Sequence, residues 1–383
     1  TATIVSSSPF SGGEWVPMMA GQMLIIRRGK VVFDSAPELK PLATQVFSPP
    51  PQQQAQQAVG ANNFMAQSQA EQSQGHTLNA RAITQTTSGE PMEYRLFELT
   101  HKTHYVYTEP VEHSTHVFRL QPTDDHTQEV VFSKLAISSP AEEIKYEDVF
   151  GNQAVHCVID KPYTKLTVAA TSHVKIYAVP PDDHSLSRRK TSIPLVWMPW
   201  QRQMMMPYLL SVELPESQLV ELTEYAMSFV ARNDSHLLRT IEDINLSIYR
   251  DYKYVSGSTS LNTTPFEVYT SREGVCQDFA NLFICLARLL GIPARYRMGY
   301  IYTGANYANK IQSDASHAWT EVYLPYVGWR GFDPTNGCSV NQDHVRVACG
   351  RTYIDATPTS GTIYKGGGTE TLTVDVKMRE LNK

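Results

Sequence analysis

The sequence predicts an α+β fold in two parts, an antiparallel β-sandwich followed by a helix that packs on an antiparallel sheet. In residues 92–180, β-branched and aromatic side chains alternate with polar ones, and breaks rich in Pro or Asp separate the runs. Downstream of Cys276, apolar residues recur at helical spacing as far as Gly291. Three further alternating runs follow, so the second part combines this helix with strands.

Residues 1–46 form an N-terminal extension with one predicted β-hairpin. Residues 23–33 carry a strand-like pattern on both sides of Gly29, where the turn is expected. An isolated hairpin is marginally stable in water, so this arm should pack on another surface. That surface is either its own chain or a protein partner.

Two segments are predicted to connect the folded parts. Residues 47–91 are rich in Gln, Ala and Ser and are expected to be a flexible linker, because they have few apolar side chains to bury. Residues 181–214 form a Pro-rich connector that includes Trp197, Trp200 and Met204. Its apolar side chains are expected to cover an interface between domains, and a wall facing a substrate is the alternative.

The domain of residues 215–383 is predicted to begin with two helices that brace the cysteine helix. These helices cover about residues 216–232 and 236–252, and each has an apolar stripe. The later strands are expected at residues 293–302, 315–324 and 328–333. This arrangement places His317 and Asp333 on neighbouring antiparallel strands packed against the cysteine helix.

Composition argues against several classes of protein. The 383 residues include 33 Lys plus Arg against 38 Asp plus Glu, and this net charge of -5 provides no basic surface for nucleic acid. No apolar run approaches the ~20 residues of a membrane span. The five cysteines are odd in number and widely spaced, which favours a reducing compartment, so a cytoplasmic location is expected. Zinc-binding Cys and His motifs are absent, and neither a metal nor a cofactor is predicted.

Cys276, His317 and Asp333 have the residue types and order of a cysteine-based catalytic triad. A cysteine at a helix start has its thiolate stabilised by unpaired N–H groups and the helix dipole. A histidine can take the thiol proton, and an aspartate can fix the imidazole tautomer. The three residues are distant in sequence, so the fold must bring them together.

The flanks of these residues resemble the transglutaminase-like family of papain-like cysteine enzymes. The matching segments are residues 274–280, 291–295, 317–322 and 329–335, which occur in the family's order. The resemblance implies that residues 215–383 are a transglutaminase-like catalytic domain, preceded by the N-terminal β domain of bacterial members. It also implies Cys276 as nucleophile, His317 as general base and then acid, and Asp333 as the orienting residue.

Three further residues are candidates for roles around the triad. The backbone N–H of Cys276 is the natural first donor to an oxyanion, and Tyr254 is a candidate second donor. Trp319 and Trp329 flank the other triad members and are candidates for the substrate cleft. Alternatively, these tryptophans shield the ion pair from water or only fill the core.

The triad predicts acyl transfer on a protein or peptide amide through a thioester, and three hypotheses remain. The leading one is hydrolysis by a cysteine peptidase or amidase, with water as the acceptor in an open cleft. The second is a protein-glutamine transglutaminase, which has to hold an amine acceptor and exclude water. The third is a non-catalytic assembly or binding module that uses the N-terminal extension.

Overall fold

The computed structural model describes residues 24–27, 30–34, 93–178, 191–260, 262–304 and 316–381. The chain divides into two units, residues 1–90 and 91–383. In the first unit, strand β1 (Leu24–Arg27) pairs antiparallel with β2 (Lys30–Asp34). The predicted linker of residues 47–91 lies outside the described residues.

An antiparallel β domain opens the second unit. Its strands are β3 (Tyr94–Phe118), β4 (Gln128–Ile137), β5 (Glu142–Glu147), β6 (Gln153–Ile159) and β7 (Tyr163–Tyr177). They are hydrogen-bonded in the order β4-β7-β3-β6-β5. The long strand β3 pairs with β7 along its first half and with β6 along its second half. One strand therefore links the two halves of the domain.

The two halves of β3 contribute to one hydrophobic core. Tyr105 and Tyr107 from the first half cluster with Val111 and Phe118 from the second half, together with apolar residues of β6 and β7. Alternate residues point to opposite faces of a strand, so each half buries one face. The β domain predicted from the alternating pattern is confirmed, as one hydrogen-bonded sheet folded over a shared core.

Two strands within residues 359–381 complete this β domain. Strand β15 (Thr359–Gly366) pairs with the second half of β3, and β16 (Glu370–Leu381) pairs with the first half. The sequence assigned both strands to the domain of residues 215–383, and their pairing corrects that assignment. A local pattern identifies a strand but does not identify its partner, which here lies more than two hundred residues earlier.

The Pro-rich connector contains a helix with a largely exposed apolar surface. Helix α1 spans Pro199–Leu209, and Pro199 at its first position suits a helix start. The exposed fractions of Trp200 and Met204 are 62% and 73%. The expectation that the connector's apolar side chains cover an interface is therefore wrong for Trp200 and Met204. The ring of Trp197, by contrast, packs against that of Tyr323, with 6.0 Å between the ring centres. A side chain's apolar character predicts a tendency to be buried, but it does not supply a partner surface.

Four helices form one layer, in which three pack against the predicted cysteine helix. They are α2 (Glu216–Arg232), α3 (Leu237–Asp251), α4 (Pro265–Ser271) and α5 (Cys276–Leu289). The two bracing helices were predicted almost to the residue. Helix α5 is buried along most of its length, and Gly291, with φ 71°, allows the chain to turn after it.

A five-stranded antiparallel sheet supports α5. Its strands are β10 (Ala294–Ile301), β11 (His317–Leu324), β12 (Gly328–Asp333), β13 (Cys338–Ser339) and β14 (His344–Gly350). The order is β13-β12-β11-β10-β14. The hydroxyl of Thr320 donates to the carbonyl of Ala280 at 3.1 Å, and Phe332 stacks on Phe283 at 6.1 Å. These contacts fix α5 against the sheet, and the predicted α+β fold is confirmed.

Shorter elements complete the second unit. Strands β8 (Lys253–Tyr254) and β9 (Glu273–Gly274) form a parallel pair before α5, and α6 (Tyr353–Ala356) follows β14. Apolar residues of the β domain, including Phe97, Leu99 and Val376, join one cluster with residues of the helices and of the five-stranded sheet. Among the described residues, no helix has both the length and the hydropathy needed to cross a bilayer.

The pairing of β16 predicts different effects for two valines on that strand. Val376 is 2% exposed and Val374 is 39% exposed. We expect Val376→Asp to lower the free energy of unfolding by about 3 kcal/mol or more, because it buries an unpaired charge. The matched Val374→Asp should cost less than about 1 kcal/mol. Urea denaturation checks both, and equal costs would contradict the role given to β16.

Candidate active site

Cys276 is the first residue of α5, and the buried carboxylate of Asp278 stabilises the turn before it through hydrogen bonds. Oδ2 of Asp278 accepts hydrogen bonds from the backbone N–H of Val275 at 2.8 Å and from the Thr259 hydroxyl at 2.6 Å. The N–H groups of the first turn lack intrahelical partners, so the helix N-terminus favours negative charge at Cys276. The side chain of Cys276 is partly exposed.

Arg272 fixes the same turn from the other side. It has a left-handed conformation, with φ 57°, which a non-glycine residue adopts only when its surroundings hold it there. Its guanidinium lies 4.6 Å from the ring centre of Tyr252, 4.8 Å from that of Tyr269 and 5.2 Å from that of Tyr225. Three cation–π contacts therefore anchor the backbone that presents the cysteine.

His317 and Asp333 form a buried hydrogen-bonded pair. Nε2 of His317 lies 2.8 Å from Oδ2 of Asp333, and both side chains are fully shielded from solvent. Oδ1 of Asp333 accepts from the backbone N–H groups of Thr335 at 3.0 Å and Asn336 at 3.2 Å. The side-chain amide of Asn336 donates to Oδ2 at 2.7 Å. The carboxylate therefore has donors on both of its oxygens.

The charges of this pair depend on each other. Burial alone would lower the pKa of His317, but the charge and hydrogen bond of Asp333 outweigh it, and the Cys276 side chain adds to the rise, to about 10. Burial alone would raise the pKa of Asp333, but His317 and then His344 hold it well below its usual range. Near neutral pH the favoured state is an imidazolium beside a carboxylate.

The second ring nitrogen of His317 is available to Cys276. Nδ1 is buried and has no hydrogen-bond partner of normal geometry among the described residues. Cys276 is close enough to act on the same imidazole. Because Nε2 is committed to Asp333, Nδ1 is the atom that can exchange a proton with the thiol. The structure thus brings together the three residues that the sequence selected.

His344 at the start of β14 is a member of the cluster that sequence reasoning missed. Its Nε2 lies 3.2 Å from Oδ2 of Asp333, and its side chain is also fully shielded. Nothing local to His344 marks it, because β14 reaches Asp333 only through the fold. Asn336 was also missed, although Asp followed by Pro, Thr and Asn is typical of a turn closed by the aspartate side chain.

The two tryptophan candidates have different environments. Trp319 is fully buried, and its ring centre lies 5.9 Å from that of His317 and 5.3 Å from that of His344. It therefore cannot line an open cleft, and that prediction is wrong. The physical reason is its place on the central strand β11, where Gly299 makes room: a Cβ there would lie 2.6 Å from the indole. Trp319 instead shields the pair from water.

The roles suggested for Trp329 and Tyr254 stay predictions, and the structure gives the surroundings of each side chain. Trp329 is half-buried, and its ring packs against Tyr208 at 5.1 Å and beneath Arg295 at 4.2 Å. Burial, followed by the charges of Cys276 and Asp278, raises the pKa of Tyr254 to about 12. The Tyr254 phenol therefore lies near Cys276 and keeps its proton as a hydrogen-bond donor.

The cluster around Asp333 also resembles a set of metal ligands. One atom each from His317, Asp333 and His344 lie within 4.8 Å of one another. Oδ2 of Asp333 already accepts from both imidazoles and from Asn336. Hydrogen bonds therefore explain why these three side chains lie together. His317, Asp333 and His344 form the Asp333 cluster.

Comparisons with known proteins agree with this architecture. Residues 224–334 match the family described as the transglutaminase-like superfamily, and residues 97–175 match the bacterial transglutaminase-like N-terminal region. The uncharacterized protein Rv2569c of Mycobacterium tuberculosis is 33% identical over 295 residues, covering 73% of this chain and 91% of its own. The uncharacterized protein ML0607 of Mycobacterium leprae is 28% identical over 286 residues, covering 74% and 98%.

A solved structure shares the fold across both domains. The protein from Cytophaga hutchinsonii named "Putative Cysteine Protease" has a TM-score of 0.61 and 24% identity, covering 76% of this chain and 92% of that one. At this identity the similarity extends to the fold and not to the activity. The matched families and the 33% identical relative show that the chain belongs to the transglutaminase-like superfamily and carries the bacterial transglutaminase-like N-terminal region.

Proposed function

We propose that this protein is a cysteine peptidase or amidase that hydrolyses protein or peptide amides through a thioester intermediate. The observation that supports it best is the buried His317–Asp333 pair, whose free Nδ1 is available to a cysteine at a helix N-terminus. A structural histidine does not require a buried carboxylate, a free ring nitrogen and a neighbouring thiol at once.

The proposed reaction has two halves. The imidazole of His317 holds the proton of the Cys276 thiol on Nδ1, and the thiolate attacks the amide carbonyl carbon. As the C–N bond breaks, the Nδ1–H proton passes to the leaving amine and a thioester remains on Cys276. Nδ1 then takes a proton from water, whose oxygen attacks the thioester carbon; the C–S bond breaks, the carboxylic acid is released and the Cys276 thiolate is restored beside the imidazolium. Asp333 keeps Nε2–H in place throughout and stabilises the imidazolium.

The negative charge on the carbonyl oxygen requires donors near Cys276. The backbone N–H of Cys276 is in the first turn of α5, where N–H groups lack intrahelical partners. The phenol of Tyr254 remains protonated and is close to the thiol. We assign these two groups to the oxyanion, where preorganised donors lower the barrier to tetrahedral intermediates.

Membership of the superfamily keeps a second candidate function, transfer of the acyl group to an amine. The two functions share the thioester and differ only in which nucleophile reaches it. Water is the default acceptor unless the site encloses a bound amine. We therefore place hydrolysis first and protein-glutamine transglutaminase second.

The proposed function makes three predictions, and the first is that Cys276 is alkylated before the other four cysteines. Burial raises the pKa of Cys157, Cys285 and Cys338 to about 12, and Cys349 is buried. Peptide mapping after brief iodoacetamide treatment near neutral pH should find the label on Cys276 alone. Labelling of Cys338 while Cys276 stays unmodified would contradict a poised nucleophile.

The second prediction concerns the orienting carboxylate. Asp333→Asn should keep the fold and lower kcat by about 10³ to 10⁴, because the amide no longer selects the Nε2–H tautomer. The matched control is Asp160→Asn: Asp160 is an exposed carboxylate that bonds His113 at 2.6 Å, and its replacement should leave kcat unchanged. Equal activity of the two variants on a casein digest would refute the role of Asp333.

The third prediction identifies the acyl acceptor. The protein incubated with casein and a fluorescent amine should release new peptide termini or free carboxylates, without added metal. Cys276→Ala should abolish them while keeping the circular dichroism spectrum. Mass spectrometry of the products provides the measurement. Calcium-dependent incorporation of the amine in excess of hydrolysis would favour the transglutaminase alternative.

A further inference from the structure

His344 is the second imidazole at the Asp333 carboxylate, and it takes no part in the proposed acyl transfer. Its Nε2 lies 3.2 Å from Oδ2, the same oxygen that Nε2 of His317 approaches at 2.8 Å. Both imidazoles and the carboxylate are fully shielded from solvent. An ionised carboxylate only accepts hydrogen bonds, so both Nε2 atoms must carry a hydrogen.

The other ring nitrogen of His344, Nδ1, contacts Asn341, which offers both a hydrogen-bond donor and an acceptor. Nδ1 lies 3.4 Å from the backbone nitrogen of Asn341 and 3.1 Å from its side-chain oxygen Oδ1. A neutral ring accepts from the N–H, and a charged ring donates to Oδ1. In both states Nε2–H stays directed at Asp333. The hydrogen bond to the carboxylate is therefore built into the fold.

Packing keeps the two imidazoles at a fixed separation. Their ring centres are 6.3 Å apart, and the indole of Trp319 contacts both. Neither ring can turn its Nε2 away from Oδ2 without displacing the buried indole. Both donors therefore act on the carboxylate together, and they compete for the charge of one oxygen.

Competition of this kind changes how strongly Asp333 binds its partner. Each donor to a carboxylate lowers the affinity of that carboxylate for further positive charge. An Asp333 bonded by His317 alone would hold the imidazolium more tightly and make it a weaker acid. A general acid that is too weak transfers its proton slowly to a leaving amine. A second donor on Oδ2 offsets this effect.

We propose that His344 is a positioning residue that sets the acidity of His317, by donating a second hydrogen bond to the oxygen of Asp333 that binds the imidazolium. The inference deepens the proposed function and rests on it for the Cys276–His317 pair. It assigns His344 no contact with substrate. Its consequence is a His317 imidazolium that gives up its proton more readily than the buried pair alone would allow.

The surroundings contain few other groups that could cause the same effect. Within the part of the chain that the structure describes, the titratable groups that interact with this cluster are Cys276 on α5, Cys338 on β13 and Asp343 before β14, and Asp343 is itself paired with Arg95 on β3. Burial raises the pKa of Cys338 to about 12, so Cys338 stays protonated over most of the relevant range.

The test uses alkylation of Cys276 in the full chain and needs no substrate. The iodoacetamide rate, followed from about pH 5 to pH 11, should have an upper step where His317 loses its proton and the thiolate loses its partner. His344→Leu removes the donor and should move this step up by about 0.5 to 1 pH unit. His344→Gln keeps an N–H donor and should leave the step within about 0.2 unit of the parent chain.

Asn341→Asp, at an exposed position, should shift the upper step in the opposite direction from His344→Leu. A carboxylate at residue 341 is a stronger acceptor for Nδ1–H of His344 than the amide oxygen, which lies 3.1 Å from Nδ1, and the hydrogen bond from Nε2 to Asp333 then strengthens. The upper step should therefore move to lower pH, by a similar amount. This variant keeps the proposal falsifiable if His344→Leu does not fold, because the buried imidazole remains in place.

Two results would overturn the proposal while leaving the proposed function intact. The first is an unmoved step in both His344→Leu and Asn341→Asp, even if the melting temperature falls, which would make His344 a structural residue. The second is an equal shift in His344→Leu and His344→Gln. Persistence of the upper step in His317→Ala would instead refute the Cys276–His317 pair and both proposals with it.

Discussion

The second unit is organised around a carboxylate that has been removed from water. Asp333 has no solvent exposure, and a buried ionised group is tolerated only when hydrogen bonds and a partner charge replace its hydration. Two backbone N–H groups, the Asn336 amide and two imidazoles supply that replacement. Removing one partner of a buried pair typically costs about 3–5 kcal/mol.

This requirement constrains elements that are far apart in sequence. The register of β11 on β12 has to bring His317 beside Asp333, and β14 has to deliver His344 from the opposite edge of the sheet. Gly299 lies between them because any larger residue would meet the indole of Trp319 or the carbonyl of Val345. The sheet therefore has little freedom around the Asp333 cluster, and that rigidity keeps Nδ1 of His317 aimed in one direction.

Local patterns predicted most of what lies close together in sequence. The helical spacing of apolar residues located α2, α3 and α5, and strand alternation located β10, β11 and β12. The order of Cys276, His317 and Asp333, taken with the motifs that flank them, selected residues that the structure brings together. Long-range pairings had no such signal, so His344 and strands β15 and β16 were missed or misassigned. The predictions for Trp319 and for Trp200 and Met204 of helix α1 were wrong for another reason. Apolar character alone does not determine whether a side chain lines a cleft, fills a core or stays exposed.

The pairing of β15 and β16 with β3 makes the helices and the five-stranded sheet an insertion between strands of one β domain. Strand β7 precedes the insertion, and the strands that complete the sheet follow it. A nascent chain that has made β3 to β7 still has an unsatisfied edge along β3 until residues 359–381 are synthesised, and such an edge invites pairing with other chains. The insertion must therefore fold compactly enough to bring its two ends together. Bringing β15 and β16 back to β3 costs loop-closure entropy, and this cost is smaller when the insertion has already folded.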